Sequence, residues 1–97
     1  MREQDLQTKI IKTLTKADWY VVNGNFTRGG IPDLICCSPT GKFVGIEVKL
    51  PKTRNNTTKL QELNIELINN LGGKALVVWD MVQIKELIDE EHSQEHA

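Results

Sequence analysis

The sequence predicts one α/β domain in which a small mixed β-sheet is flanked by helices, in the order α-β-β-β-α-β-α. An apolar hairpin occupies the middle of the chain, amphipathic helical segments lie on both sides of it, and one further strand is almost wholly apolar. The chain has 97 residues, of which 39% are hydrophobic and 26% are charged, as expected for a single globular domain. No apolar run approaches the length of a membrane span.

The central hairpin is predicted from two runs that are rich in Ile, Val, Leu, Phe and Cys, at residues 31–38 and 42–50. The segment between them is Pro39-Thr40-Gly41, and a Pro followed closely by a Gly favours a tight turn. Strands this apolar are typical of a buried position. The hairpin is therefore expected to form the centre of the sheet.

Three ionisable residues interrupt the hairpin at the end away from the turn: Asp33, Glu47 and Lys49. Glu47 and Lys49 are two residues apart in one strand, so they share a face. If the turn has three residues, Asp33 falls opposite Glu47 on that same face, with Cβ atoms about 4.5–5.5 Å apart. A two-residue turn would instead shift the register by one residue and move Asp33 to the other face.

Two carboxylates at this spacing repel each other unless a cation lies between them. Mg²⁺ prefers oxygen ligands, so Asp33, Glu47 and the backbone carbonyl of Val48 are its expected ligands. A bound cation makes water a better nucleophile and polarises a phosphoryl oxygen, while Lys49 can orient that water or neutralise charge on the phosphate. The alternative is a surface cluster of ion pairs, which is common and stabilises little.

A first helix is predicted over residues 2–17, because apolar side chains recur on one face at helical spacing: Leu6, Ile10, Leu14 and Ala17. Glu3 lies one turn before this stripe and extends it. A carboxylate on a buried face needs a partner, whereas a Glu at a fraying N-terminus simply suits the helix dipole, and both interpretations of Glu3 stay open. A short strand follows at residues 19–23.

A second helix is predicted over residues 59–70, with an apolar stripe that is expected to be buried: Leu60, Leu63, Leu67 and Leu71. Thr58 and Gln61 form a capping-box pattern at its start, which gives Gln61 a structural role. Gly72 and Gly73 end the helix. The apolar segment at residues 74–79 is then expected to form a buried strand.

The last helix is predicted to start at Asp80, with Gln83 completing its cap and four side chains facing inward: Met81, Ile84, Leu87 and Ile88. From about residue 90 to residue 97 the chain is acidic and is expected to fray, so no function is assigned to His92 or His96. Cys36 and Cys37 have neither zinc nor disulfide spacing, which predicts reduced core residues in a cytoplasmic compartment.

The net charge of −1 does not by itself indicate a nucleic-acid-binding protein. The basic residues are unevenly distributed, however, and residues 48–61 carry no acid and four bases: Lys49, Lys52, Arg54 and Lys59. Arg28 precedes the hairpin and is a further candidate for a phosphate contact. Ordinary solvated loop residues are the alternative interpretation.

Pro32-Asp33 followed by Glu47-Val48-Lys49 resembles the signature of the PD-(D/E)xK nuclease superfamily. The fuller strings, GIPDLI at residues 30–35 and GIEVK at residues 45–49, resemble its virus-type replication-repair nuclease branch, VRR-NUC. The resemblance extends over nearly the whole chain. It departs at residues 16–18, which contain no glycine where VRR-NUC members often have one.

The resemblance implies a restriction-endonuclease-like core and a Mg²⁺- or Mn²⁺-dependent endonuclease that hydrolyses DNA phosphodiesters. Lys49 would assist the water nucleophile, and Gln61 matches a Gln that the family places near the site. Gln7 follows Glu3 as in the first-helix E-x-x-x-Q of the family and receives a tentative site role. The metal ligands that the resemblance implies are Asp33, Glu47, the Val48 carbonyl and Glu3, the last directly or through water.

Stand-alone VRR-NUC domains resemble Holliday-junction resolvases, which cut as homodimers. Two symmetric strand cuts need two sites, so a homodimer acting on branched DNA in replication, recombination or repair is expected, with a viral or phage origin in keeping with the branch. No recognition helix is apparent, which predicts selectivity for DNA structure and not for sequence. Two alternatives stay open: a non-catalytic module that holds DNA or a replication protein, and a structural oligomerisation domain.

Overall fold

A computed structural model describes residues 1–24 and 29–95 of the chain. Its helices are α1 (Glu3–Lys16), α2 (Lys59–Asn70) and α3 (Met81–Glu95), and a single 3₁₀ turn spans Pro51–Thr53. Its strands are β1 (Tyr20–Asn23), β2 (Leu34–Cys37), β3 (Phe43–Val48) and β4 (Lys74–Val78). The predicted order, α-β-β-β-α-β-α, is confirmed.

The four strands form one mixed sheet in the order β1-β2-β3-β4. The first three strands are antiparallel neighbours, and β4 pairs parallel to β3 after the crossover through α2. Cys37 pairs with Phe43, and the Ser38 N–H donates to the Lys42 carbonyl at 3.0 Å. The turn therefore has three residues, and the register that this loop length predicted is confirmed.

The hydrophobic core lies between the sheet and the layer formed by α1 and α3. From the sheet, Val44, Ile46 and Val48 point into it, because alternate residues of β3 share a face. The predicted stripe of α1 is confirmed, since Leu6, Ile10 and Leu14 are buried and Ala17 packs against them. The intervening residues of β3, which include Glu47, face the side where α2 packs.

The prediction that Leu60, Leu63, Leu67 and Leu71 form the buried face of α2 is wrong. Their side chains are 51%, 53%, 56% and 79% exposed. The half-buried face of α2 carries Gln61, Ile65 and Ile68 instead, which also recur at helical spacing. The helix therefore has two apolar stripes, and periodicity alone cannot choose between them.

Local packing determines which stripe of α2 faces the sheet. A Cβ atom at Gly45, in the middle of β3, would lie 3.2 Å from Ile68 Cδ1 and 3.0 Å from Pro32 Cγ, so glycine lets the helix approach closely. At the helix start, the Gln61 side chain reaches back into the sheet and fixes the rotation of the first turn. The leucine stripe is consequently turned away from the sheet.

Helix α3 runs to Glu95, so residues 90–95 are helical where fraying was predicted. Glu91 explains this extension, because its carboxylate is buried beside the hairpin turn. It accepts hydrogen bonds from the hydroxyls of Ser38 and Thr40 and from the Thr40 N–H at 3.1 Å. His92 lies on an exposed part of this helix, and His96 is outside the described residues.

Within the described ranges, no helix is long and apolar enough to cross a membrane.

The junction between α1 and β1 shows how the chain turns without the glycine that VRR-NUC members often have near residues 16–18. Asp18 adopts φ +66°, a left-handed conformation that glycine favours and that Asp tolerates better than most residues. Asp18 thus makes the turn that a glycine would otherwise make. In the neighbouring strand, Cys36 is buried and Cys37 is exposed, and burial raises the pKa of the Cys36 thiol to about 12, which keeps it unreactive.

Candidate functional site

The candidate site lies at the end of the β2–β3 hairpin that is farthest from its turn. Leu34 pairs with Ile46, so continuing the register by one residue puts Asp33 opposite Glu47. Asp33 Oδ2 accepts a hydrogen bond of 2.8 Å from the Val48 N–H, which fixes the orientation of this carboxylate. The two carboxyl groups that the sequence singled out are therefore held side by side.

Glu47 is the most unusual titratable group in the described part of the chain. Only 3% of the residue is exposed, and burial together with the neighbouring charge of Asp33 and a hydrogen bond to it raises the pKa of Glu47 to about 8. The charge of Lys49 lowers this pKa in part, and the charge of Glu3 raises it slightly. Because this pKa is about 8, Glu47 is mostly protonated near neutral pH.

Gln61 performs its structural role and a site role at the same time. The Gln61 Oε1 accepts a hydrogen bond of 2.9 Å from the Thr58 backbone N–H, and the Gln61 backbone N–H donates one of 3.1 Å to Thr58 Oγ1. These two bonds form the predicted capping box. Its Nε2 donates to Glu47 Oε1 at 3.0 Å. One side chain thus ties the start of α2 to the buried carboxyl group.

The other predicted site residues are Lys49, Glu3 and Gln7. Lys49 is half-buried beside the pair and its charge acts on Glu47. Glu3 is exposed in the first turn of α1 and affects Glu47 only through its charge, and Gln7 is half-buried one turn later. Among the described residues, no group of three or more His, Cys, Asp or Glu side chains is close enough together to hold a metal ion. Asp33 and Glu47 are therefore a pair without a third carboxylate.

The basic residues lie at the rim of the site. Lys52 and Arg54 are exposed in the segment that follows β3, and Arg54 Nη1 donates to the Pro51 carbonyl at 2.6 Å. Lys59 is exposed at the first position of α2. Arg28, the remaining predicted phosphate contact, lies outside the described residues. These positive charges have no acidic side chain between residues 48 and 61 to offset them.

Trp79 is a residue near the site that the sequence reasoning missed. It follows β4 directly, and the Lys49 N–H donates to the Val78 carbonyl at 3.0 Å, so Trp79 begins beside Lys49. The Arg54 guanidinium lies 5.9 Å from the centroid of its ring, within cation–π distance. Residues at the carboxyl ends of parallel strands are the usual place for ligand contacts, but the sequence pattern shows only that Trp79 ends a buried strand and does not show that this strand is parallel to β3.

The chemistry of the carboxyl pair suits a hard divalent cation. Both donors are oxygens and they are fixed side by side, and burial together with the neighbouring charge of Asp33 raises the pKa of Glu47. Mg²⁺ commonly uses only one or two carboxylates together with water and substrate phosphates, so the pair needs no third carboxylate from Glu3.

Comparison of the chain with protein-family models, with curated proteins and with solved structures finds no match.

Proposed function

We propose that this protein is a Mg²⁺- or Mn²⁺-dependent DNA endonuclease that hydrolyses phosphodiester bonds in branched DNA. The observation that carries the proposal is the pairing of Asp33 with a buried Glu47 whose pKa is about 8, next to Lys49. Placing a half-buried Asp33 beside a buried Glu47 destabilises a protein unless a ligand uses them, because removing one of the two acids would relieve the repulsion. The PD…EVK pattern and its likeness to VRR-NUC domains give the same assignment.

Each residue has a role in this reaction. Asp33 and Glu47, with the Val48 carbonyl, would hold the cation, which supplies Lewis-acid stabilisation of a phosphoryl oxygen and acidifies water. Lys49 neutralises charge that develops on the scissile phosphate and orients the attacking water. Gln61 positions Glu47 through its 3.0 Å hydrogen bond. Lys52 and Arg54 contact the DNA backbone, which fits recognition of structure and not of sequence.

The test is cleavage of labelled four-way junction, flap and linear duplex DNA in Mg²⁺, in Mn²⁺ and in EDTA. We expect cleavage in both metals, none in EDTA, and faster cleavage of the branched substrates. DNA binding without cleavage in any metal would contradict the proposal. That result would favour the second candidate, a nuclease-fold module that holds DNA or a replication protein, for which the net charge of −1 is the supporting observation.

The two roles of Gln61 can be separated with a matched pair of variants. Thr58→Ala and Gln61→Ala each break one of the two hydrogen bonds of the capping box, so each is expected to lower the free energy of unfolding by about 1 kcal/mol. Only Gln61→Ala also removes the hydrogen bond to Glu47, so only this variant should slow cleavage, by roughly 10- to 100-fold. Thermal unfolding and initial cleavage rates measure the two effects. Equal cleavage rates in the two variants would show that Gln61 acts only as a cap.

We further propose that the protein acts as a homodimer joined through the exposed stripe of α2. Contiguous exposed leucines on a small domain mark an interaction surface. A groove of about 470 Å³ is formed by three leucines of the stripe, Leu60, Leu63 and Leu67, together with Gly29 and Asn64. An apolar stripe along one helix can pack against the same stripe of a second copy across a two-fold axis, which buries the leucines of both copies.

Charge also favours a second copy of this chain as the partner at this surface. Lys59 and Glu66 flank the stripe and are seven residues apart, so they lie on the same side of α2. In an antiparallel pair of α2 helices, Lys59 of one copy is directed toward Glu66 of the other. This contact occurs twice under two-fold symmetry. Two joined copies also provide the two sites that paired strand cuts need.

Replacing both Leu63 and Leu67 by Glu is expected to convert a dimer into a monomer. Burying four carboxylates across the two-fold axis is unfavourable, while the monomer loses little because both leucines are exposed. Light scattering after size-exclusion chromatography measures the mass. Val82→Glu is the control, since Val82 is 60% exposed on α3 and lies outside the stripe. A monomeric wild-type protein at micromolar concentration would contradict the proposed dimer.

A further inference from the structure

The carboxyl ends of β3 and β4 open into an apolar pocket that the proposed reaction does not use. Its volume is about 650 Å³, within the range of small-molecule sites. Its walls come from three places in the chain, namely α1, the segment after β3 and the segment after β4. The apolar lining includes Leu6, Leu50, Pro51, Trp79 and Met81.

We propose that this pocket, which we call the Trp79 pocket, binds an unpaired nucleobase of the DNA beside the scissile phosphate. The inference rests on the proposed function and adds the feature of branched DNA that the protein reads. Trp79 follows Val78 as Lys49 follows Val48, and these two strands are paired in parallel register. Neighbouring strands lie about 4.8 Å apart, so the indole starts next to the lysine that serves the phosphate.

The charges around the Trp79 pocket favour a nucleotide in one orientation. Lys52 lines the pocket and the Arg54 guanidinium lies 5.9 Å from the indole centroid, so both bring positive charge close to the phosphates of a bound nucleotide. Asp80 also lines the pocket, and one of its carboxylate oxygens accepts the Val82 N–H at 2.8 Å as the cap of α3. Negative charge at this edge disfavours a phosphate there. The uncharged base therefore enters the apolar pocket while the backbone stays with the two cations.

An aromatic ring flanked by cations is the usual means of holding single-stranded DNA, because any base can stack on the ring. In a linear duplex the bases stack on one another and cannot enter. At a branch or a flap some bases are unpaired, so the Trp79 pocket discriminates between these substrates without reading sequence. Selectivity for branched DNA then follows from one side chain, that of Trp79, which lies next to Lys49.

The experiment uses tryptophan fluorescence of the full chain in EDTA, where no cleavage is expected. The protein has two tryptophans, and Trp19 is only 5% exposed, so DNA that enters the pocket changes the emission of Trp79. A duplex with two unpaired arms is compared with a blunt duplex of equal length, and the anisotropy of a label on the DNA reports binding independently. We expect the branched DNA to quench the emission and the blunt duplex to leave it unchanged. Trp79→Phe should abolish the quenching.

Affinity provides the second readout. Trp79→Ala is expected to weaken binding of the branched DNA by at least about fivefold, whereas Trp79→Tyr, which keeps a ring, should restore most of it. Affinity for the blunt duplex should change by less than about twofold. Tyr20→Ala is the matched control, because Tyr20 is 68% exposed on β1 at the opposite edge of the sheet.

The outcomes that overturn the two proposals differ. Binding of branched DNA with unchanged tryptophan emission, or equal quenching by blunt duplex, overturns the Trp79 pocket while the endonuclease proposal survives. Absence of binding to any DNA overturns both. Quenching in wild-type protein that Trp79→Phe retains would locate the base elsewhere and would also overturn the pocket.

Discussion

Replacing Glu47 by Gln is expected to slow DNA cleavage by at least about 10³-fold while the protein stays folded. A cation at the reacting phosphate supplies several kcal/mol of transition-state stabilisation, and each 1.36 kcal/mol corresponds to a factor of ten in rate. Gln has the size of Glu but cannot provide a second carboxylate for the cation. Single-turnover cleavage of the preferred branched substrate measures the loss.

The fold should tolerate Glu47→Gln with its contacts intact, because the amide reproduces the protonated form of Glu47. The carboxyl group of Glu47 shares a hydrogen bond with Asp33 and accepts one from Gln61 Nε2 at 3.0 Å. In Glu47→Gln the amide N–H can donate to Asp33 while the amide oxygen accepts from Gln61. Both partners of the buried group are thereby kept, so the loss of cleavage is separable from loss of fold.

The same substitution should change how stability depends on pH. The pKa of Glu47 is raised from about 4.5 in the unfolded chain to about 8 in the metal-free folded protein. Between these values the folded state holds a proton that the unfolded state has released, so wild-type stability falls as pH rises, by at most about 1.4 kcal/mol per pH unit. Glu47→Gln removes this slope. Its stability relative to wild type should therefore increase from about pH 5 to pH 8.

Chemical denaturation in EDTA at pH 5, 6.5 and 8 measures that difference. Glu86→Gln, at an exposed position of α3, is the control and should leave both the slope and the cleavage rate unchanged. Cleavage by Glu47→Gln at the wild-type rate would show that Glu47 does not take part in catalysis. A wild-type pH slope that persists in Glu47→Gln would assign the titration to a different group.

The carboxyl pair was predictable from sequence because one loop length determines it. Once three residues form the turn, strand alternation places Asp33 and Glu47 on one face, and no tertiary information is needed. The helix cap at Thr58 and Gln61 was equally local, since both partners lie within one turn. The raised pKa of Glu47 was not predictable in this way, because it depends on burial by α2 and on charges from other elements.

The rotation of α2 and the position of Trp79 depend on contacts between distant parts of the chain. The leucine stripe and the stripe with Ile65 and Ile68 both satisfy helical periodicity, and the choice between them depends on space at Gly45 and on the reach of Gln61 to Glu47. The sequence pattern places Trp79 only at the end of a buried strand. Its position beside Lys49 follows from the parallel pairing of β3 with β4, which a strand pattern alone does not specify.

The apparent affinity for Mg²⁺ is expected to rise about tenfold for each pH unit up to about pH 8, or roughly 100-fold between pH 6 and pH 8. Below pH 8 the pair Asp33–Glu47 holds a proton that must leave before both carboxylates can face a cation. Above pH 8 the proton is already gone and the affinity should level off. The direction is opposite to that of metal-free stability, which falls over the same range.

Isothermal titration calorimetry in buffers of different ionisation enthalpy tests this linkage directly, because it counts the protons released. About one proton should be released per bound Mg²⁺ at pH 6.5 and close to none at pH 9. Glu47→Gln should bind Mg²⁺ weakly and without proton release at either pH. If wild-type protein binds Mg²⁺ with an affinity that is independent of pH, the cation does not use Glu47. The buried pair is then part of the packing of α2 against the sheet, and the endonuclease proposal loses the observation that carries it.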